Sequence, residues 1–170
     1  MKKLRVALLV VSDRASRGER ADGCEPAIRG FLKRHGHKLG AVAIVPDEME
    51  PIQKQLTEWT TGQGYDLALT AGGTGVSPRD ITPEATRPLL ERKIPGIPEA
   101  MRSASMEITP YAALSRGLAG FRGRSMILNL PGSPKAAVEN LEVIFNTLIH
   151  AIAKAKGDKS DCAPLPTKHE

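Results

Sequence analysis

The chain has 170 residues, 41% of them hydrophobic and 25% charged, and a formal net charge of +5. That length fits one globular domain with a sizeable core, and a mild basic surplus favours anionic partners without singling out nucleic acid. Aromatic residues make up only 4%, too few for the base-stacking platforms of many single-strand binders.

The first apolar run, residues 4–11, is β-branched and stops at Ser12-Asp13, which predicts a buried strand. Lys2 and Lys3 precede it, but its uninterrupted part, Val6 to Val11, is too short for an export signal. No other run approaches the roughly 20 apolar residues of a membrane span. A polar loop through Gly18 and Gly23 follows. Pro26 then suits the first turn of a helix with Ile28, Phe31 and Leu32 on its apolar face, stopped by Gly36. Residues 38–45 predict a second strand ended by Pro46-Asp47, and Ile52, Leu56 and Trp59 recur at helical spacing. Residues 66–71 predict a third strand that runs straight into Gly72-Gly73-Thr74-Gly75.

Strand, helix, strand, helix, strand predicts an α/β sheet covered on both faces. Ligands in such sheets bind beyond the carboxyl ends of the strands, where Ser12-Asp13, Pro46-Asp47 and the glycine loop all fall. Thr82-Pro83-Glu84 reads as a cap, a first-turn proline and a first-turn acid, opening a helix to about residue 91. One or two short helices are expected among Pro95, Pro98 and Pro110. Residues 118–122 and 125–130 suggest a hairpin around Gly123-Arg124. Ser133 then caps a long helix whose apolar face is Val138, Leu141, Phe145, Leu148 and Ile152. The reading is one domain over residues 1–156 and a mobile tail over 157–170, with no internal repeat or interdomain linker.

Glycines directly after a strand let main-chain N–H groups approach a phosphate. Gly72-Gly73-Thr74-Gly75 lacks both the P-loop pattern and the G-x-G-x-x-G spacing, so a tight turn and a phosphate cradle are both open. Arg79 either pairs with phosphate or faces solvent. Asp80 either braces its loop or, with Asp47 at a neighbouring strand end, suits a Mg²⁺ held by carboxylates, waters and phosphate oxygens. Asp13 is a third candidate carboxylate. At Pro131-Gly132-Ser133 a helix begins, so free N–H groups and the positive end of the dipole are available there, with Lys135 in the first turn.

Other chemistries find no support. The histidines (35, 37, 150 and 169) show no metal spacing, and there is no G-x-S-x-G elbow. Cys24 and Cys162 form no C-x-x-C pair, so a zinc site or disulfide framework is not expected, and a reducing cytoplasm is.

Five segments carry a resemblance: VSDRASRG (11–18), PDE (46–48), TAGGTGVSPRDITPEAT (70–86), LSRG (114–117) and ILNLPGSPKA (127–136). In order, and over about residues 4–155, they resemble the MogA/MoaB-type molybdopterin adenylyltransferases. The resemblance implies a three-layer α/β/α fold with a mixed, mostly parallel sheet, assembled as a trimer, or second a hexamer. It implies transfer of AMP from Mg-ATP to the terminal phosphate of molybdopterin, with release of pyrophosphate. Asp47 and Asp80 match the family's two important carboxylates, here assigned as catalytic residues and Mg²⁺ ligands. Gly72, Gly73, Thr74 and Gly75 match its phosphate loop. Ser12, Asp13, Asn129, Pro131, Gly132, Ser133 and Lys135 match segments that contact ligands. Expected partners are the two small-molecule substrates, other copies of the chain and other enzymes of molybdenum cofactor synthesis, with no nucleic acid and no membrane. Val76-Ser77-Pro78 departs from the residues usual in the family. The alternative is a non-catalytic molybdopterin-binding or scaffold homologue; a nucleic-acid-binding module has only the net charge behind it.

Overall fold

The computed structural model describes residues 3–159. Its strands are β1 (Arg5–Val11), β2 (Lys38–Val45), β3 (Leu67–Ala71), β4 (Arg92–Lys93), β5 (Ala119–Arg122) and β6 (Ser125–Leu130). Its helices are α1 (Asp13–Ser16), α2 (Cys24–Arg34), α3 (Met49–Thr57), α4 (Thr82–Thr86), α5 (Gly96–Met106) and α6 (Pro134–Ala155). All strands join one sheet in the order β2-β1-β3-β6-β5-β4. The β2-β1-β3-β6 half is parallel and the β5 and β4 pairings are antiparallel.

β1 shows why its sequence carries no alternation. Val6, Leu8 and Val10 face a core shared with α2, α5 and α6, while Ala7, Leu9 and Val11 face a second core under α3 and α4. Both faces are covered, so every second residue is as apolar as its neighbour. Each fully buried side chain of this kind contributes about 1.5–3 kcal/mol. On the first face the Phe31 and Phe145 rings meet edge to face, centroids 4.9 Å apart, and join α2 to α6. By length and composition α6 could cross a membrane, a feature that the search for apolar runs misses. Its apolar stripe, Leu141, Ile144, Phe145, Leu148 and Ile152, is instead buried in the core.

Several elements differ from expectation for local reasons. The polar loop after β1 contains α1, capped by Ser12, whose Oγ accepts from Ala15 N at 3.2 Å. α2 starts before Pro26 because Asp22 accepts from Cys24 N (2.9 Å) and Glu25 N (2.8 Å). α4 is shorter than expected and continues only as a 3-10 turn, Arg87–Leu89. Pro88 lacks the N–H that a longer α-helix needs. Thr82 is not its cap; Ile81 stands there, and the Thr82 hydroxyl donates to Gly72 O at 2.9 Å. β4 is two exposed charged residues with no readable pattern. Of the expected tail, residues 160–170 lie outside the described residues, with Cys162 and His169 among them.

Two contacts lock the end of the sheet away from the glycine loop. Asp66 accepts from Arg5 N at 2.8 Å and pairs with Lys156 beyond α6. Nearby, buried His37 accepts from Leu4 N through Nδ1 at 3.1 Å. Burial first, then the neighbouring charges of His35 and Lys3, depress its pKa below 6.5. Between the folded pKa and 6.5 the unfolded chain therefore binds the proton more readily, and stability is lost as pH falls through that window. Urea midpoints should drop between pH 7 and pH 5, and His37→Gln should flatten that slope.

Candidate functional site

Register brings the site together. Val11 stands level with Val45, Val10 with Ala71, and Ala71 with Leu130. The residues that follow, Ser12, Pro46-Asp47, Gly72 and Pro131, therefore gather at the carboxyl edge of the sheet. The chain passes from β1 to β2 on one side and returns to β3 on the other, so this edge is also the topological switch point.

The glycine turn is shaped by what lies beside it. Gly72 has φ +110°, and a Cβ there would run into the Val11 carbonyl; Gly73 has φ +62°, and a Cβ there would meet the Thr82 hydroxyl and come within 3.0 Å of Asp47 Oδ1. Only glycine fits either position. Gly72 N donates to Leu130 O (3.2 Å) and Thr82 N to Gly73 O (3.0 Å), so both ends of the turn are pinned.

On one side lies a polar cleft of about 230 Å³, bordered by Ser12, Asp47, Gly72, Gly73, Asp80 and Gly132, and also by Arg20, Asp22 and Cys24. Asp47 and Asp13 brace each other: Asp13 N donates to Asp47 Oδ2 (2.8 Å), and Asp47 N to Asp13 Oδ1 (3.0 Å). Arg79 closes on Asp13 with two bonds of 3.0 and 2.8 Å. These bonds hold the Asp13 carboxyl below its ordinary pKa. Asp47 moves the other way. Burial raises it most, opposed by the Asp13 N–H and reinforced by the charges of Asp13 and Asp80. Asp80 Oδ2 accepts from Ser77 N at 2.8 Å, which braces the loop, and the carboxylate still borders the cleft.

On the other side of the turn lies an apolar cleft of about 290 Å³, bordered by Thr74, Gly75, Met101, Ile108, Tyr111, Leu114 and Pro131. Tyr111, Ile108 and Leu114 are 78%, 60% and 50% exposed, which is unusual for apolar side chains so close together. The glycine turn and the 131–132 turn thus form a wall with carboxylates on one side and apolar groups on the other.

Known proteins share this fold. Residues 7–151 match the family described as "Probable molybdopterin binding domain". The chain belongs to that family. It is 41% identical over 159 residues to the molybdopterin adenylyltransferase of Haemophilus influenzae, covering 89% of this chain and 80% of that protein. It is 44% identical over 174 residues to the gephyrin of Dictyostelium discoideum, covering 96% of this chain but only 24% of gephyrin. The chain therefore spans about a quarter of that relative. Among solved structures, the molybdopterin biosynthesis enzyme MoaB of Thermus thermophilus superposes with a TM-score of 0.86 at 52% identity, covering 91% of this chain and 98% of MoaB.

Within this member of the family, the residues singled out from sequence do not all reach a cleft. Ser12, Asp47, Gly72, Gly73, Asp80 and Gly132 border the polar cleft; Thr74, Gly75 and Pro131 border the apolar one. Asp13 borders neither and acts through Asp47 and Arg79. Ser133 is the α6 cap, accepting from Ala136 N at 3.4 Å. Lys135 is exposed beside Glu139, 3.7 Å away, and borders neither cleft. Asn129 needs a correction. It is 1% exposed, its Nδ2 donates to Thr70 and Thr86 hydroxyls at 3.0 Å each, and its Oδ1 accepts from Leu118 N at 3.1 Å. Its amide pins β6 to β3, to α4 and to the residue before β5, and it borders neither cleft. Arg79 is exposed to solvent, as one of its two readings had it, and its guanidinium is at the same time paired with Asp13.

Sequence reading missed Asp22 and Cys24, which border the polar cleft beside Arg20, a loop cation open to phosphate or solvent on sequence grounds. Cys24 offers no nucleophile there, because burial pushes its thiol up to about 11. Arg116 was legible only as part of LSRG.

Two variants separate scaffold from site. Asn129→Ala strands two hydroxyls and an N–H, at a cost on the order of 2–3 kcal/mol. Its melting temperature should fall by roughly 5–10 °C in calorimetry. Asp47→Asn should not destabilise at pH 7. With a raised folded pKa, Asp47 contributes most stability below 3.8 and loses it as pH rises through the folded value. The amide removes that cost, so its melting temperature should equal or exceed wild type at pH 7, and the gap should close toward pH 4.

Proposed function

We propose that this chain is a molybdopterin adenylyltransferase acting in molybdenum cofactor synthesis, transferring AMP from ATP to the terminal phosphate of molybdopterin. The carrying observation is the glycine turn itself. It is shaped for close approach, flanked by Asp47 and Asp80 on a polar cleft, and backed by an apolar cleft that suits a fused heteroaromatic ring. The relatives named adenylyltransferase support the same reading.

The chemistry asks little of the side chains as acids or bases. A phosphate monoester is largely dianionic at neutral pH, its second pKa being about 6. An oxygen of that phosphate attacks the α-phosphorus of ATP, forming a new P–O bond. The bond from the α-phosphorus to the bridging oxygen breaks, its electron pair leaves on pyrophosphate, and no proton need move. What the protein must supply is alignment and stabilisation of charge. Gly72 and Gly73 let main-chain groups lie against the phosphates, and the Ser12 hydroxyl and the start of α6 border the same space. Thr82 and Leu130 hold the turn, so little reorganisation is needed during reaction.

Asp47 and Asp80 fit a Mg²⁺. Both border the polar cleft, and their oxygens are the hard donors this ion takes. Among the described residues no cluster of three or more metal-ligating side chains occurs, so waters and phosphate oxygens would complete the set, as is usual for Mg²⁺. When bound, the ion supplies charge neutralisation across the triphosphate.

The same reading includes assembly as a trimer, with a hexamer second, in the cytoplasm. Met106, Ile108, Tyr111 and Leu114 offer exposed apolar surface for a neighbouring copy. Light scattering at micromolar concentration tests it, a monomer being the refuting result.

Asp80→Asn tests the reaction. The amide preserves shape and removes charge, so turnover should fall about 10²–10³-fold with molybdopterin affinity and melting temperature nearly unchanged. Formation of adenylyl-molybdopterin within a few-fold of wild type would refute the role given to Asp80.

A further inference from the structure

We infer that Arg116 is the positioning residue that holds the second half of the glycine loop, and with it Asp80, in the geometry for adenylyl transfer. The inference rests on the reaction proposed above. Residues 74–80 form neither helix nor strand, and Val76, Ser77, Pro78 and Arg79 are exposed. A segment so placed needs an anchor from outside itself.

Arg116 is that anchor. Its main-chain N–H donates to Thr74 O at 2.9 Å. Its Nε donates to Gly75 O at 2.7 Å, its Nη2 to Asp80 O at 2.5 Å, and its Nη1 pairs with Glu84 in the first turn of α4. One side chain thus clasps the two ends of the loop and the helix that follows. The planar guanidinium presents its donors at fixed angles, matching two carbonyls and a carboxylate together; a lysine ammonium has the charge but not the fork. Arg116 borders neither cleft, so removing it deletes no substrate contact. It acts through the loop.

The first half of the turn stands without it. Gly72 and Gly73 are pinned by Leu130 and Thr82, so the part shaped for phosphate approach should survive loss of Arg116. Asp80 should not keep its place, because its two bonds with Ser77 lie within the same loop, and the other outside tie, Arg79 to Asp13, holds an exposed side chain and not the loop backbone. The expected signature is a loss of turnover with ATP binding preserved.

The experiment compares wild type, Arg116→Lys and Arg116→Ala for adenylyl-molybdopterin formation, melting temperature and rescue by added methylguanidinium. For Arg116→Lys the expected result is a melting temperature within a few degrees of wild type, kcat lowered about 10²-fold, and KM for ATP little changed. Methylguanidinium should restore part of the Arg116→Ala rate and leave Asp80→Asn unaffected. The inference is overturned if Arg116→Lys keeps kcat within about threefold, if the loss lies in KM alone, or if activity falls only in step with stability and without rescue. Should Arg116→Ala fail to fold, Arg116→Lys alone decides on the same criteria. A wild-type protein that forms no adenylyl-molybdopterin overturns the transfer reaction and this inference with it; an active wild type beside an unimpaired Arg116→Lys overturns this inference alone.

Discussion

The Val11 carbonyl lies where a side chain on residue 72 would project, and the site is organised around that lack of room. It makes residue 72 a glycine and lets the backbone turn at positive φ directly off β3. Thr82 seals the turn from below with its hydroxyl and its main-chain N–H. A threonine that local pattern assigns to a helix cap thereby becomes part of the loop.

Electrostatics at this edge is a balance among three carboxylates, two just past strand ends and Asp80 in the loop after β3. Asp13 is neutralised by Arg79, which lets it serve as a brace. Asp47 is pressed from two sides, by burial and by the charges of Asp13 and Asp80, and its pKa rises. Such pressure is relieved when positive charge enters the cleft, whether on a metal ion or on a side chain. A cleft of this kind holds phosphates poorly alone and well with a cation between, which is the logic of the Mg²⁺ proposed here.

The opposite wall follows the other principle. Its apolar groups come from α5, the 3-10 turn Pro110–Leu114 and the short connection between them, residues 107–109, where side chains stay partly uncovered. A fused ring, or a second copy of the chain at its rim, would cover what the monomer leaves exposed.

The residues alone determined much of this protein. The α/β class, the three strand ends carrying Ser12, Asp47 and the glycine turn, the capped start of α6 and the family resemblance all follow from local pattern. β1 reads as buried because both its faces meet helices, and Gly72-Gly73, directly after a strand, reads as either a tight turn or a phosphate cradle. Tertiary structure alone decided which side of the wall each residue serves. Asn129 and Ser12 look alike in sequence, polar residues near strand ends. Yet Asn129 lies within β6 with three interior partners, whereas Ser12 lies one residue past β1 and borders the cleft. Arg116 carries no local sign of its task, because its side-chain partners stand 32 to 41 positions earlier. Long-range hydrogen bonds leave no periodicity in a chain, and only folding brings their two ends together.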